Sequence, residues 1–269
     1  MEQYVDTPKS TFLGTFLKNL IILVFFVVIG GAGGWLTASQ QPTLWRASAQ
    51  FDQPTAVELN NYYSLATTYA LVQNGSSDLD KPLTDKAFAE FKRNLQSLDL
   101  LKAFVAQSEH LKKQADAKGW SLGKATDAFL QGVSFDEKSA KLHLTLDSAE
   151  DSQKLLNDLI QYATSQTRLG LNQELVEKWK VLFQQVKTAA ETNLGAIQVG
   201  SQVAQQDWNG KLKVMQSVQP LDNKLQAYRL LNSPELPQQP YSPNKLLWVL
   251  LGMIAGGIVG SLFTIFQRK

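Results

Sequence analysis

Apolar and polar positions divide the chain into two long uncharged stretches and a patterned interior between them. From Asn19 to Trp45 no residue is charged, and Leu20 to Ile29 is an unbroken run of ten large apolar residues. Such residues each favour a bilayer by roughly 0.3–0.6 kcal/mol, so the run supplies about 3–6 kcal/mol. Gly30, Gly31, Gly33 and Gly34 dilute it, while Ala32, Trp35 and Leu36 carry it to membrane length. A second stretch, Leu246 to Gln267, holds 22 residues without a charge. As a helix it reaches about 33 Å, enough to cross roughly 30 Å of hydrocarbon. Two transmembrane helices are predicted, at 19–37 and 245–266. The Ala-x-Ala pattern Ala47-Ser48-Ala49 lies more than ten residues beyond the first, which predicts an uncleaved span rather than a signal peptide. Lys9 and Lys18 precede the first span and Arg268 with Lys269 follow the second. That distribution favours both termini in the cytoplasm, although Arg46 and Lys245 on the other side keep the bias modest.

Between the spans, period-two alternation and helical spacing follow one another. Leu44, Arg46, Ser48 and Gln50 alternate with Trp45, Ala47, Ala49 and Phe51, predicting a strand that Pro54 ends. Leu59, Tyr62, Tyr63, Ala66, Tyr69 and Ala70 give 58–72 a helical period, and Asn74-Gly75-Ser76-Ser77 is a loop. Thr84 is placed as the N-cap of a helix with Phe88, Phe91 and Leu95 on its apolar face. Ser97 caps a second helix, with Leu98, Leu101, Phe104, Val105 and Leu111. The segments 129–135 and 140–146 form a predicted hairpin across a polar turn at 136–139. In its second strand Leu142, Leu144 and Leu146 alternate with Lys141, His143 and Thr145. Ser148, with Asp151 three residues on, resembles a capping box for the next helix.

That helix is the longest predicted element. No proline separates Pro82 from Pro220, and from 149 to about 193 apolar residues recur every three or four positions. They run through Leu155, Leu159 and Tyr162 to Leu171, Leu175, Trp179, Leu182 and Val186. A helix of 45 residues is roughly 68 Å long, far beyond the globular average. Its stripe needs cover, from a returning helix or from a neighbouring subunit. The uncharged stretch 192–206, with Gly195 and Gly200, is placed as the turn. The leg back to Pro220 is shorter than the outgoing helix, so either the turn comes earlier or the return is partly extended. A last strand is predicted at 224–231, with Leu225, Ala227 and Arg229 opposite Gln226, Tyr228 and Leu230.

Composition narrows the chemistry. A net charge of +2 without a clustered basic face argues against nucleic-acid binding. Zero cysteines exclude disulfides, thiol catalysis and thiolate-bound metal. His110 and His143 have no evident ligand partner, Asp78-Leu79-Asp80 reads as a solvated turn, and no catalytic or metal-ligand constellation has recognisable spacing. The expectation is a non-enzyme without cofactor or metal.

The most specific pattern leads into the second span. Pro234, Pro237, Pro240 and Pro243 recur every three residues, the period of polyproline II, and describe either a stiff one-sided strut or a generic linker. Gly252, Gly256 and Gly260 form two overlapping G-x-x-x-G spacings, repeated by Gly30 and Gly34 in the first span. Such spacings clear a groove for close helix approach. The segment 234–260 (PELPQQPYSPNKLLWVLLGMIAGGIVG) resembles the proline-rich end and second span of Wzz-type chain-length determinants, the polysaccharide co-polymerases. The segment 45–65 (WRASAQFDQPTAVELNNYYSL) is similar to the strand and helix after that family's first span. The middle agrees by layout, with a trimmed arm.

The resemblance implies an α+β membrane protein: two transmembrane helices flank a periplasmic domain with a small mixed α/β base and a long helical arm. It implies cytoplasmic tails at 1–18 and 267–269, a base at 38–148, the arm and its return at 149–219, and a last base strand with the strut at 220–244. It further implies a regulator of surface polysaccharide chain length, O-antigen or a related lipopolysaccharide glycan, in the bacterial inner membrane. Its partners would be copies of itself in an oligomeric chamber, a Wzy-type polymerase, lipid-linked polysaccharide and membrane lipid. Leu171, Leu175, Trp179, Leu182 and Val186 would pack the arm or the oligomer. Only Gln267, Arg268 and Lys269 follow the second span and no G-x-x-x-x-G-K-[ST] occurs, so the kinase-free class is expected. The alternative is a two-span trans-envelope scaffold unrelated to polysaccharide, for which longer heptads or a lipoyl- or barrel-like module would be expected. A two-span sensor would need a cytoplasmic output domain.

Overall fold

The computed structural model describes residues 9–75, 78–192, 196–199, 202–205 and 207–266. Ser76, Ser77, Gly195, Gly200, Gln267, Arg268 and Lys269 lie outside the described residues. In chain order the elements are α1 (Lys9–Gln40), β1 (Trp45–Asp52), a 3-10 turn (Ala56–Leu59), α2 (Asn60–Val72), α3 (Asp80–Gln96), α4 (Leu98–Gln107), α5 (Glu109–Ala117), α6 (Leu122–Gly132), β2 (Val133–Asp136), β3 (Lys141–Leu146), α7 (Ala149–Glu191), β4 (Ala196–Val199), β5 (Gln202–Gln205), α8 (Trp208–Gln216), β6 (Arg229–Asn232) and α9 (Lys245–Phe266). They form two compact units. One gathers Met1–Arg46, Thr145–Ala149 and Pro237–Lys269, the other Ala47–Leu144 and Glu150–Leu236.

The terminal unit is built on α1 and α9. Residues Phe16–Gln40 and Lys245–Phe266 are each long and apolar enough to cross a membrane. Pro42, which cannot continue a helix, follows the end of α1. At the start of α9 the side-chain oxygen of Asn244 accepts a hydrogen bond from the Leu247 amide at 3.2 Å, satisfying one of the helix's free donors.

The central unit holds a four-stranded sheet in the order β2-β3-β1-β6, and β4 and β5 form a separate antiparallel ribbon. β2 and β3 pair as the sequence suggests, with Ser134 opposite His143 and Phe135 opposite Leu142. β1 runs antiparallel to β6 and carries an irregularity between Gln50 and Phe51. Alternation along β1 buries Ala47, Ala49 and Phe51. Phe51, Phe91 and Tyr228 form an aromatic cluster, with Phe91 stacked on Tyr228 at 4.3 Å and Phe51 edge-on to both at 5.1 Å. The first half of α7 adds Leu155, Leu156, Leu159, Ile160 and Ala163, all buried.

Several boundaries differ from the sequence expectation. Thr84 is not an N-cap: α3 starts at Asp80, and the Thr84 hydroxyl, inside the helix, donates to the Asp80 carbonyl at 2.9 Å. Pro82 sits in the first turn, where its missing N–H has no intrahelical partner to lose. Ser97 does cap α4, accepting from the Leu100 amide, but Leu111 belongs to a separate helix. Ser108 interrupts the run and caps α5 by accepting from the Leu111 amide at 3.3 Å. Phe129 lies on α6, capped by Ser121, so the first hairpin strand begins only at Val133. The last strand likewise begins at Arg229, because the Gln226 amide donates to the Glu58 carbonyl at 2.9 Å and spends the preceding backbone on the 3-10 turn.

The long helix holds: α7 runs 43 residues, about 64 Å. The turn falls in the predicted stretch as the β4–β5 ribbon, and the return is a nine-residue α8 followed by chain without regular structure up to β6. No second subunit is needed to cover the stripe. Leu182 and Val186 pack with Val72 of α2 and Met215 of α8, flanked by Tyr69, Trp179, Phe183, Trp208 and Leu212. Leu171 and Leu175 are also buried and Trp179 is half-buried. The physical reason is that α2 and the short return helix both lie along the distal half of the arm.

Candidate functional site: the glycine-packed helix pair and its clasp

The predicted glycines meet one another within the chain. A methyl carbon added at Gly30 would press on the Gly252 carbonyl and lie 3.0 Å from the Gly256 Cα. One at Gly34 would press on the Trp248 carbonyl, and one at Gly256 on the Phe26 carbonyl with the Gly30 Cα at 3.2 Å. At Gly260 it would lie 3.0 Å from the Phe26 Cβ. Position rises along α1 as it falls along α9, so the helices are antiparallel and bring the start of α1 and the end of α9 to one end of the pair. All these neighbours at Gly30, Gly34 and Gly256 are backbone atoms. The contact therefore exists only because the side chains are absent, and it gains dispersion and Cα–H···O interactions. Gly256 and Gly260 are buried in an apolar helix whose other residues are exposed or half-buried.

The other end of the pair is tied by the chain entering and leaving it. The Leu44 amide donates to the Ser242 carbonyl at 2.8 Å, and the Tyr241 amide donates to the Leu44 carbonyl at 2.7 Å. Beside this bridge the Arg46 guanidinium lies 3.4 Å from the centre of the Tyr241 ring, and its Nε donates to the Thr145 hydroxyl at 3.0 Å. Of the four strut prolines, Pro234 and Pro243 are buried, Pro237 is half-buried and Pro240 is exposed.

In the central unit the charged groups make local pairs. His110 is not without a partner: its Nε2 lies 2.7 Å from Asp151, whose other oxygen accepts from the Gln114 amide at 2.6 Å. Sequence reading missed this pair because 41 residues separate its members. His110, on α5, also lines an open cavity of about 500 Å³ walled by Phe104, Gln107, Asp158, Gln161 and Tyr162. Asp80 accepts from the Tyr63 hydroxyl, which raises the tyrosine's pKa. Hydrogen bonds from Lys178 and Lys86, both at 2.6 Å, pull the Glu174 carboxyl down to about 2. Burial pushes the Tyr62 hydroxyl up to about 12, with Glu174 adding to the shift. Among the described residues no group of three or more His, Cys, Asp or Glu is arranged to hold a metal ion.

The chain thus comprises a pair of membrane-length helices and a helical unit with a small sheet, without a constellation for bond-making chemistry among the described residues. No family model matches the sequence. The chain is 21% identical over 291 residues to the ECA polysaccharide chain length modulation protein of Escherichia coli K12, covering 83% of this chain and 84% of the relative. Its fold matches a full-length bacterial polysaccharide co-polymerase with a TM-score of 0.64 at 15% identity, over 98% of this chain and 97% of that one. It also matches a fragment of WzzB, the polysaccharide co-polymerase from Salmonella Typhimurium, with a TM-score of 0.52 at 13% identity, over 74% of this chain and the whole fragment. The fold is that of the polysaccharide co-polymerases. Its curated relatives include polysaccharide chain length modulation proteins.

Proposed function

We propose that this protein sets the chain length of a surface polysaccharide, acting without catalysis beside a Wzy-type polymerase. The observation that carries the reading is sequence kinship with a chain length modulation protein across 83% of the chain. In this reading the helix pair anchors the chain in the bacterial inner membrane with both termini in the cytoplasm and the central unit in the periplasm. Copies assemble into an oligomer whose arms organise the polymerase and the lipid-linked glycan. The intramolecular cover on α7 moves the support for assembly from the arm's stripe to apolar groups left exposed, among them Leu169 and Val181 on α7 and Leu230 and Leu231 on β6. Mass measured in nanodiscs is expected to be several times 29.9 kDa, and a clean monomer at micromolar concentration would contradict the assembly. The function itself is tested by deleting the gene and displaying surface glycans on a gel. Loss of modal banding with polymer still made supports the reading, and unchanged glycans overturn it.

A further inference from the structure

The clasp at the closed end of the helix pair has the chemistry of a phosphate site. Arg46 stands six residues past the end of α1, and Tyr241 four residues before the start of α9. The backbone bridge between Leu44 and Ser242 holds the two segments together, so both side chains lie where two membrane-length helices end. That is the depth of the headgroup layer, which extends the roughly 30 Å hydrocarbon core to about 40–45 Å. Tyrosine is enriched at this level because its ring sits in apolar surroundings and its hydroxyl in water.

The guanidinium is fixed in orientation. Stacking on the Tyr241 ring at 3.4 Å sets its plane, and the Nε–H···Oγ1 bond to Thr145 at 3.0 Å sets its rotation within that plane. A ring and a hydroxyl hold the cation without neutralising it. With Nε engaged, the two η nitrogens remain as an end-on fork of parallel N–H groups, the geometry that grips a carboxylate or phosphate bidentately. Lys245, exposed at the first position of α9, is a second cation four residues after Tyr241 in the chain. Among the described residues no carboxylate pairs with this fork, and at headgroup depth it faces one abundant anion chemistry, the phosphate of a lipid.

We propose that Arg46, stacked on Tyr241 and seated by Thr145, binds a lipid-borne phosphate at the closed end of the helix pair. The phosphate has two sources, a phospholipid headgroup or the diphosphate of a polyprenyl-linked glycan; the second rests on the chain-length reading above. Binding would hold the clasp, and with it the exit of β1, at a set depth.

The test uses the full chain in phosphatidylcholine nanodiscs doped with a polyprenyl diphosphate or with phosphatidylglycerol, and reads lipid retained on the protein by native mass spectrometry. Inorganic diphosphate is the soluble arm. Arg46→Gln is expected to weaken retention about tenfold, the loss of a charge-assisted hydrogen-bonded pair. Arg46→Lys, which keeps charge but not the fork, should fall between. Selective loss of the polyprenyl diphosphate assigns the site to the lipid-linked glycan, and equal loss of both lipids assigns it to headgroups. Binding of inorganic diphosphate as strong as either lipid overturns the lipid-borne assignment. If Arg46→Gln fails to fold, Tyr241→Ala tests the same platform with the Thr145 bond intact. Retention within twofold of the parent in each folded variant overturns the proposal. The readout is lipid binding alone, so it fails or succeeds separately from the glycan banding that tests the function.

Discussion

Replacing Gly256 with alanine is the sharpest test of the helix pair. The added methyl would press on the Phe26 carbonyl oxygen and lie 2.9 Å from its carbon and 3.2 Å from the Gly30 Cα. All three atoms are α1 backbone, and no rotamer change relieves them. Ordinary separation returns only if the helices part by roughly 0.5–1 Å, which forfeits a quarter to a half of each dispersion contact along the seam. Overpacking of this kind costs about 1–3 kcal/mol, or about 5- to 150-fold in the equilibrium for pairing. Gly257→Ala is the matched control, because its methyl meets only the Val27 side chain at 3.6 Å, an ordinary contact. Both variants gain the same helix propensity, so their difference isolates the packing. The chain has no cysteine of its own, and Phe16 and Phe266 are exposed at the open end of the pair. Dyes on cysteines placed there report separation by energy transfer during a titration with sodium dodecyl sulfate. Gly256→Ala is expected to separate at lower detergent fraction than Gly257→Ala. Coincident curves for the two would refute the packing account.

Other expectations bear on the central unit and the strut. Phe91 is fully buried between Phe51 and Tyr228, so Phe91→Ala should lower stability by about 3–5 kcal/mol, read as a drop in thermal midpoint by circular dichroism. Glu174 has a folded-state pKa of about 2 against an ordinary 4.5, held down chiefly by the hydrogen bonds from Lys178 and Lys86. Its contribution is therefore complete above pH 4.5 and is lost as pH falls toward 2. Glu174→Gln should flatten stability across that window, and because the pair is well exposed it should change stability at pH 7 by less than about 1 kcal/mol; an unchanged acid slope counts against the network. Replacing Pro237, Pro240 and Pro243 together by alanine should alter the glycan length distribution more than protein abundance. An unchanged distribution at normal abundance marks the segment as a plain linker.

Much of this protein follows from one-dimensional patterns. The two uncharged stretches, the proline-free run that becomes α7, the alternation of β3 and the four-residue glycine spacing are each set by neighbours within a turn or two. Hydropathy and periodicity report such neighbours directly. Caps were legible where a serine stands alone before an apolar run, as at Ser97, but not where Pro82 moved the start of α3 ahead of Thr84. What only the tertiary structure decided is which surfaces meet. The glycine spacing announces a close approach, yet nothing in it says that Gly256 faces Phe26 of the same chain. The stripe on α7 calls for cover, and only the fold supplies it from α2 and a short α8. His110 finds Asp151, and Arg46 finds both Thr145 and Tyr241, across separations at which periodicity carries no information. Such pairs exist because packing the apolar faces fixes the backbones first, and the polar groups are then brought within hydrogen-bonding reach.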